Sequence, residues 1–290
     1  MKIRIWGCRG SLATPGPDTV RYGGNTSCVE IRGNDGQVLV LDAGTGMRPL
    51  GVVMAGEESQ PVHVLLSHLH LDHLQGLGFF RPLFQPGREI HIWGPSSPVQ
   101  SLSERIATYL SPPLFPVHLA DVPSKMHFHD VPDEVIDVGA MRVTAELVTH
   151  QGPTVGYRIE EDGRSVVYMP DHEPGLGLGS GLADQSPEWI SGYHLARDAD
   201  VLLHDAQYTD EEYPRHVGWG HSAVGHVVDF AQKAHVRHLV LFHHDPYHPD
   251  HELESLVTAA RRIWGSGEGE VLAAWEGMTI DLSPDGVIAF

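Results

Sequence analysis

The chain has 290 residues, of which 41% are hydrophobic and 20% are charged, and its 38 acidic and 19 basic residues give a formal net charge of −19. This length can bury a large core, and the lack of any stretch of about 18 or more apolar residues argues against a transmembrane helix. The negative charge is spread along the chain and opposes long-range attraction to nucleic acid or an anionic membrane, and no secretory signal pattern occurs, so we expect a soluble, cytoplasmic protein.

Short β-rich runs alternate with a few helical patterns along the chain. Strands are predicted at 3–6, 28–31, 38–41, 62–66, 90–93, 141–148, 155–159, 166–169, 201–204, 239–242 and 271–275. Helices are predicted at 98–110, 187–198, 221–235 and 250–264, with Ser222 as the N-cap of the third. Because no internal repeat and no low-complexity linker divides this mixed α/β pattern, we expect one domain over residues 1–290.

Three histidines and an aspartate follow the apolar run 62–66, in the segment SHLHLDHLQG at 67–76. Residues two apart point the same way in an extended segment, so His68 and His70 can converge on one ion. Beyond the bend, Asp72 and His73 can face a second ion. Imidazole and carboxylate ligands without a thiolate suit Zn²⁺, with Mn²⁺, Fe²⁺ or Co²⁺ as alternatives. The segment therefore predicts a site for divalent metal ions.

Four side chains cannot complete two metal sites, and further candidates stand at the ends of later predicted strands. His150, Asp171 and the pair His243 and His244 each follow four or more strand-like residues. A rigid strand end can aim such side chains into a shared cleft, although any one of them alone could equally be a structural residue. The residues themselves do not separate His243 from His244 as a ligand.

Together these residues resemble the metallo-β-lactamase superfamily, whose HxHxDH motif appears here as His68, His70, Asp72 and His73. Asp42, in VLVLDAGTG, matches an aspartate that commonly ends an early strand in that superfamily. The resemblance covers nearly the whole chain. It implies an α/β fold, an αββα sandwich of two mixed β-sheets flanked by helices, with the metals at one edge.

Within the superfamily the chain is most similar to the ribonuclease Z-like phosphodiesterase branch. That branch has a GHS element, here containing His221, and an acidic residue paired with this histidine, here Asp205 in LLHDAQY. The segments at 6–28 and 109–117 resemble bacterial members grouped with cyclic-nucleotide phosphodiesterases. Ribonuclease Z proteins that process tRNA carry a long arm between the third histidine ligand and the bridging aspartate, but only 20 residues separate His150 from Asp171. Cleavage at the 3′ end of tRNA is therefore disfavoured.

The resemblance also implies roles for the site residues. The ligands of the first metal would be His68, His70 and His150, those of the second Asp72, His73 and His243, and the bridging ligand Asp171. The cofactors would be two divalent ions, zinc first and manganese as the alternative, and a hydroxide bridging them would attack phosphorus. Asp72 would also orient that hydroxide, and His221, held by Asp205, would stabilise the transition state or protonate the leaving oxygen.

We therefore expect a metal-dependent hydrolase, acting on a small nucleotide-type phosphodiester such as a cyclic nucleotide. The alternative is a carboxyl, lactone or thioester hydrolase that uses the same two metals. A third hypothesis is a metal-dependent binding module without turnover, and it is disfavoured because the expected catalytic groups are all present. The expected partner is a small molecule rather than tRNA or a membrane, and a homodimer is in keeping with the resemblance.

Three further residues and one loop each allow two interpretations. Arg9 in GCRGS and Asn25 in GGNTS could contact phosphate or base, or could belong to a well-formed loop with a surface arginine. Trp219 and the SPPLFP loop at 111–116 could stack on a nucleobase or cover the cleft, although such residues more often serve packing.

Overall fold

The segment Val38–Leu41 shows how this chain builds layers. Leu39 and Leu41 lie in an apolar cluster between two sheets, whereas Val38 and Val40 lie in a second cluster against outer helices. This division follows from the twofold alternation of side chains along a strand. A strand that is buried on both faces appears in the sequence as a continuous apolar run, which is why this one was readily predicted.

The computed structural model describes residues 1–56, 60–131, 136–177, 182, 184–266, 269–282 and 288–289. The strands are β1 Lys2–Gly7, β2 Cys28–Arg32, β3 Val38–Leu41, β4 Val62–Leu65, β5 Glu89–Pro95, β6 Lys125–Val131, β7 Ile136–Val138, β8 Met141–Leu147, β9 Val155–Glu161, β10 Arg164–Met169, β11 Val201–Asp205, β12 His238–Phe242, β13 Val271–Ala273, β14 Thr279–Leu282 and β15 Ile288–Ala289. The α-helices are α1 Met47–Met54, α2 Leu71–Leu74, α3 Leu102–Tyr109, α4 Tyr193–Ala196, α5 Val224–Lys233 and α6 Asp250–Trp264. Short 3-10 helices lie at Pro17–Thr19, Leu77–Phe79, Arg81–Phe84, Leu119–Asp121, Pro187–Trp189 and Tyr213–Arg215.

The strands form two mixed sheets. Among the described residues, the first has the order β15-β14-β1-β2-β3-β4-β5-β6 and the second the order β13-β12-β11-β10-β9-β8-β7. One apolar cluster fills the space between the sheets, a second joins the first sheet to α1 and α3, and a third joins the second sheet to α4, α5 and α6. The predicted αββα sandwich is confirmed.

Parallel pairing brings several strand ends to the same edge. In the first sheet β3, β4, β5 and β6 run parallel, and in the second β10, β11, β12 and β13 do. Strand β8 is antiparallel to β9, which is antiparallel to β10, so β8 and β10 also end at one edge. The residues that follow β4, β8, β10 and β12 can therefore meet across the two sheets.

Three predicted helices differ from the observed ones. The helix predicted at 98–110 is α3 Leu102–Tyr109, which begins later because the Ser101 side chain caps it. The segment predicted as a helix at 187–198 is a 3-10 helix followed by α4, because Gly192 between them has a left-handed φ of 74°. Helix α5 begins at Val224 with Ala223 as its N-cap. The prediction of Ser222 as the cap is wrong, since the buried Ser222 hydroxyl donates a hydrogen bond to the carbonyl of His172 instead.

Helix α1 was absent from the sequence-based prediction. It contains Pro49 and Gly51, which are poor helix formers, and its stability comes from burying Leu50 and Met54 against the first sheet. In the described part of the chain, no helix has both the length and the apolar character that crossing a membrane requires.

A row of imidazoles crosses the parallel strands β4, β5 and β6. His63 pairs in register with His91, and His91 with His127. The ring centroids of the first pair lie 4.7 Å apart and those of the second pair 4.6 Å apart, with the rings stacked. His129 stacks on Trp93 two residues further along the strands, at 3.8 Å.

This row should make the protein less stable as the pH falls below about 6.5. Burial, followed by the neighbouring His91 and His129, lowers the pKa of His63 to about 4. Between these values the unfolded chain binds a proton that the folded ring excludes, so acid favours unfolding. Urea unfolding at pH 7 and pH 5 tests this, and the His63→Gln variant should lose part of the pH dependence. If the wild type and His63→Gln lose the same free energy of unfolding between pH 7 and pH 5, His63 is not the source of the pH dependence.

Candidate metal centre

The residues of the HxHxDH motif lie where β4 ends and α2 begins. His68 follows the strand closely, and the single turn of α2 buries Asp72 and His73 on its inner side. Leu71, on the outer side of the same turn, is 62% exposed. The turn of α2 therefore places Leu71 on the outer side and directs Asp72 and His73 toward the gap between the two sheets.

A first group of ligand atoms comes from both sheets. The Nε2 atom of His150 lies 3.3 Å from Nδ1 of His70 and 3.5 Å from Oδ2 of Asp171. The Nε2 atom of His68 lies 3.7 Å from the same carboxylate oxygen. Ligand atoms of these four residues all lie within 4.8 Å of one another.

A second group uses the other oxygen of the same aspartate. Oδ1 of Asp171 lies 3.0 Å from Nε2 of His73 and 3.2 Å from Nε2 of His243. Oδ2 of Asp72 lies 3.1 Å and 3.2 Å from the same two nitrogens. Asp171 therefore stands between the two groups with one oxygen toward each, which is the placement of a bridging ligand.

Four of the ring nitrogens that face away from the groups are held by oxygen acceptors. Nδ1 of His73 lies 2.7 Å from Oδ2 of Asp42, and Nδ1 of His243 lies 3.0 Å from Oε1 of Gln207. Nδ1 of His150 lies 2.7 Å from the carbonyl of Gly220, and Nδ1 of His68 lies 3.0 Å from the hydroxyl of Ser67. Each acceptor makes Nδ1 the donor and leaves the lone pair on Nε2 facing the centre.

This donor set fits metal ions. Buried Nε2 of His68 makes no hydrogen bond within the described part of the chain. Lone pairs and carboxylate oxygens that converge in this way repel one another unless a cation lies among them. Ligands about 2.0–2.1 Å from a tetrahedral zinc ion stand about 3.3 Å apart, which is the spacing seen between His150 and His70, 3.3 Å. The residues present therefore suit two divalent ions.

The charge states of His68 and Asp171 also suit metal ligands. Burial, followed by the neighbouring His73, lowers the pKa of His68 well below its usual value, so its ring is neutral. Burial alone would raise the pKa of Asp171, but the rings of His243 and His73 outweigh it and hold that pKa well below its usual range. Neutral imidazole and ionised carboxylate are the forms that bind metals.

Asp42 organises the first-sheet side of the centre from directly after β3. Its carboxylate accepts hydrogen bonds from the backbone N–H and hydroxyl of Ser67, at 2.7 and 2.9 Å, from His73 at 2.7 Å and from the hydroxyl of Tyr168 at 2.8 Å. Asp42 has a left-handed φ of 57°. It thereby fixes the orientation of one histidine directly and of His68 through the serine hydroxyl.

His243 also has a left-handed φ of 57°, directly after β12. A Cβ atom on Gly10 would lie 2.4 Å from Nδ1 of His243, so only glycine permits this approach. The adjacent His244 turns away and its Nε2 lies 2.9 Å from the carbonyl of Ala274. The geometry therefore brings His243, and not His244, to the second group.

His221 and Asp205 form a pair beside the two groups, as the sequence predicted. Nδ1 of His221 lies 2.7 Å from Oδ2 of Asp205, which is fully buried. The His221 ring stacks on His243 at 4.9 Å and meets His150 edge-on at 5.1 Å. Burial opposes protonation of His221, but Asp205 outweighs it and raises the pKa to about 9.

Sequence reasoning missed a carboxylate that supports this side of the centre. Glu173, which is 1% exposed, accepts hydrogen bonds from the Tyr213 hydroxyl at 2.7 Å and from the backbone N–H groups of Gly218 and Gly220, at 2.8 and 2.7 Å. The carbonyl of Gly220 in turn holds His150. The only available signal was the position of Glu173, two residues after Asp171.

Three other residues from the sequence analysis do not reach the ligand groups. Arg9 is fully buried, and its guanidinium donates to the carbonyls of Gly23, Asp245 and His248 at 2.9, 3.1 and 2.7 Å. Arg9 is therefore neither a surface arginine nor free to bind phosphate, because the loops that carry these three carbonyls enclose its side chain. The side chain of Asn25 donates to Glu276 at 2.9 Å. Trp219 is 60% exposed and packs edge-on against His216, at 4.9 Å.

Removing the partner of one ligand should weaken metal binding without removing a ligand. We expect Gln207→Ala to lower the affinity of the second group for zinc by roughly 10–100-fold, because His243 loses the acceptor that fixes its tautomer and orientation. Chelator competition measures the affinity of each site. Gln232→Ala, on α5, provides the control, and an unchanged affinity in Gln207→Ala would contradict the role of this residue.

A family model described as the beta-lactamase superfamily domain matches residues 38–244, which include every proposed metal ligand. The chain belongs to this superfamily. Ribonuclease Z of Myxococcus xanthus is 28% identical over 285 residues, covering 84% of this chain and 88% of that protein. The uncharacterised protein Rv1339 of Mycobacterium tuberculosis is 31% identical over 258 residues, covering 85% of this chain and 82% of that protein.

Solved structures agree with the superfamily fold. The metallo-β-lactamase fold protein YhfI of Bacillus subtilis has a TM-score of 0.69 at 20% identity and covers 96% of this chain and 98% of its own. Unliganded yeast PDE1 has a TM-score of 0.62 at 15% identity and covers 96% of this chain and 98% of its own. The resemblance drawn from the HxHxDH motif and the expectation of a superfamily hydrolase are confirmed.

Proposed function

We propose that this superfamily hydrolase cleaves small phosphodiesters, with a cyclic nucleotide or a similar nucleotide-type diester as its substrate. The observation that carries the proposal is the pair of His221 and Asp205. Asp205 fixes Nδ1 of His221 as a hydrogen-bond donor, at 2.7 Å. Nε2 is then the nitrogen that can deliver a proton to a leaving group bound beside the two ligand groups.

The type of leaving group decides between hydrolytic reactions. An alkoxide released from a phosphodiester is strongly basic and needs a proton, whereas a thiolate released from a thioester leaves without one. A dedicated His–Asp pair is therefore most useful for phosphodiester cleavage. Asp205 raises the pKa of His221 to about 9, and this favours the protonated ring that a general acid requires.

The metal ligands in this proposal are His68, His70 and His150 for one ion, Asp72, His73 and His243 for the other, and Asp171 between them. We propose zinc, because imidazole-rich sites without thiolate favour it, with manganese as the alternative. Two bound divalent ions would activate a water molecule and neutralise the phosphate oxygens. Asp72 would also orient the nucleophile.

Relatives support phosphodiester chemistry, because the Myxococcus relative is named a ribonuclease and ribonucleases cleave phosphodiesters. A small substrate is favoured over tRNA for two reasons. Only 20 residues separate His150 from Asp171, which leaves no room for a long tRNA-binding arm, and the net charge of −19 provides no general attraction for a polyanion. The metal centre must therefore provide the local attraction for an anion.

The test is product detection by chromatography after 3′,5′-cyclic mononucleotides are incubated with zinc- or manganese-loaded protein. Bis(p-nitrophenyl) phosphate, a chromogenic thioester and a chromogenic lactam are assayed in parallel. The proposal expects cleavage of cyclic nucleotides by the wild type alone, with no product from Asp171→Ala. Cleavage of the thioester or lactam with no phosphodiester cleavage would overturn it in favour of a carboxyl or thioester hydrolase.

A further inference from the structure

A cluster of side chains that can bind metal lies outside the two ligand groups of the candidate centre and shares no residue with them. Glu212, His248 and Glu252 each offer one ligand atom, and these atoms all lie within 4.8 Å of one another. Nε2 of His248 lies 3.0 Å from Oε1 of Glu212 and 3.9 Å from Oε1 of Glu252. Two distant parts of the chain meet here, because Glu212 precedes the 3-10 helix Tyr213–Arg215 and the other two residues lie around the start of α6.

The ring of His248 is buried and directs Nε2 at the two carboxylates. Its side chain is 4% exposed, and its backbone carbonyl accepts a hydrogen bond from the Arg9 guanidinium at 2.7 Å. Nδ1 has no hydrogen-bond partner within the described part of the chain, so the polar contacts of the ring there are those of Nε2 with the two glutamates. Burial and the anchored backbone give this ligand atom a defined position before any ion binds.

The carboxylate of Glu212 is held in place by its own segment. Oε2 accepts a hydrogen bond from the backbone N–H of Thr209 at 2.9 Å, and the backbone N–H of Glu212 donates to the Thr209 hydroxyl at 3.1 Å. The other oxygen, Oε1, is left to face His248. The side chain of Glu252 is 40% exposed, so this side of the cluster is open to water molecules that can complete the coordination of an ion.

The charge of the cluster favours a cation. Glu212 and Glu252 meet beside one imidazole, and neither forms an ion pair with a lysine or an arginine among the residues that the structure describes. Two carboxylates at this separation repel each other, and a divalent ion between them neutralises both charges. Imidazole nitrogen and carboxylate oxygen are ligands that Zn²⁺ and Mn²⁺ accept.

We propose that Glu212, His248 and Glu252 bind a divalent transition-metal ion, Zn²⁺ or Mn²⁺, separate from the two ions proposed at the candidate centre. This ion joins the segment 209–221 to the start of α6. Its role is to stabilise the fold around the candidate centre rather than to take part in hydrolysis. The proposal depends on the cluster alone and does not rest on the proposed function.

Both segments that the ion joins also support residues of the candidate centre. The first contains Gly220, whose carbonyl lies 2.7 Å from Nδ1 of His150. On the other side, Asp245 accepts a hydrogen bond at 3.1 Å from Gln207, and Oε1 of Gln207 lies 3.0 Å from Nδ1 of His243. An ion that binds the folded arrangement and not the unfolded chain raises the melting temperature of the protein.

The test counts the ions bound to each chain. Metal-free protein is dialysed to equilibrium against Zn²⁺ and, separately, against Mn²⁺, and the bound metal is measured by elemental analysis. We expect the wild type to bind one ion more per chain than His248→Gln and one more than Glu252→Gln with at least one of the two metals. This difference does not depend on how many ions the candidate centre holds, so the result stands apart from any failure to cleave a diester.

Matched controls change the same residue types in α6 outside the cluster. His251 and Glu254 are exposed, and His251→Gln and Glu254→Gln should bind as many ions as the wild type. Glu252→Gln alters a partly exposed side chain, and its circular dichroism spectrum verifies that the variant is folded. Saturating metal should also raise the melting temperature of the wild type more than that of Glu252→Gln. The proposal is overturned if both cluster variants bind as many ions of each metal as the wild type, or if the control variants lose an ion as well.

Discussion

Replacing Asp171 with alanine is expected to reduce hydrolysis by at least about 10³-fold and to lower the metal content of the purified protein. Asp171 directs one carboxylate oxygen toward each ligand group, so its loss removes a ligand from both at once. A metal-centred reaction draws several kcal/mol of transition-state stabilisation from its ions, and about 4 kcal/mol corresponds to this factor in rate. Metal analysis and steady-state rates measure the two effects on the same sample.

Two companion variants make this result specific. Asp171→Asn keeps the size of the side chain but not its charge, and we expect intermediate metal content with a similar loss of rate. Asp198→Asn is the control, because Asp198 lies before β11, beyond the end of that strand opposite Asp205, and its side chain is 70% exposed. Full metal content together with wild-type rates in Asp171→Ala would refute the bridging role.

The second large effect concerns the leaving group. We expect His221→Ala to slow hydrolysis of a cyclic nucleotide by roughly 10²–10⁴-fold while both metals are retained, since general-acid catalysis typically contributes this much. The loss should be smaller for bis(p-nitrophenyl) phosphate, whose leaving group needs little protonation. Comparing kcat for the two substrates separates proton donation from a general loss of structure.

Asp205→Asn should produce a weaker form of the same defect, because the amide still accepts a hydrogen bond but no longer raises the pKa of His221. His216→Ala is a suitable control, since His216 stacks on Tyr208 in the same loop without joining the pair. An equal loss for both substrates, or loss of metal from His221→Ala, would show that His221 is a ligand or a structural residue rather than an acid.

The layers of the fold could be predicted because they depend on local patterns. Strands such as β3 and β12 are buried on both faces and appear as continuous apolar runs bounded by polar residues. The HxHxDH motif is local as well, since its residues share one strand end and one turn of helix. The later proposed ligands His150, Asp171 and His243 could be predicted because each lies within three residues of the end of a strand of the second sheet.

The features that could not be predicted from the sequence depend on contacts between residues far apart in the chain. Nothing near Arg9 in the sequence indicates that carbonyls of residues 245 and 248 close around it. Likewise the support of Glu173 for Gly218 and Gly220 joins segments 45 and 47 residues apart. Helix α1 forms despite its proline and glycine because tertiary burial outweighs weak helix propensity. None of these three features can be predicted from local secondary-structure propensity.

The left-handed backbone at Asp42 and His243 affects how this protein would respond to selection. Each of these residues occupies a conformation that costs an ordinary side chain about 1 kcal/mol or more, and glycine would relieve the strain. At position 42 this gain is smaller than the cost of leaving the four buried donors to Asp42 unpaired, which is about 1–3 kcal/mol for each. A library screened for heat resistance alone should therefore enrich glycine or asparagine at position 243 but keep Asp42, and its winners should be robust but inactive proteins. Directed evolution of this scaffold has to impose catalysis and thermal tolerance in the same round, because position 243 sets them against each other.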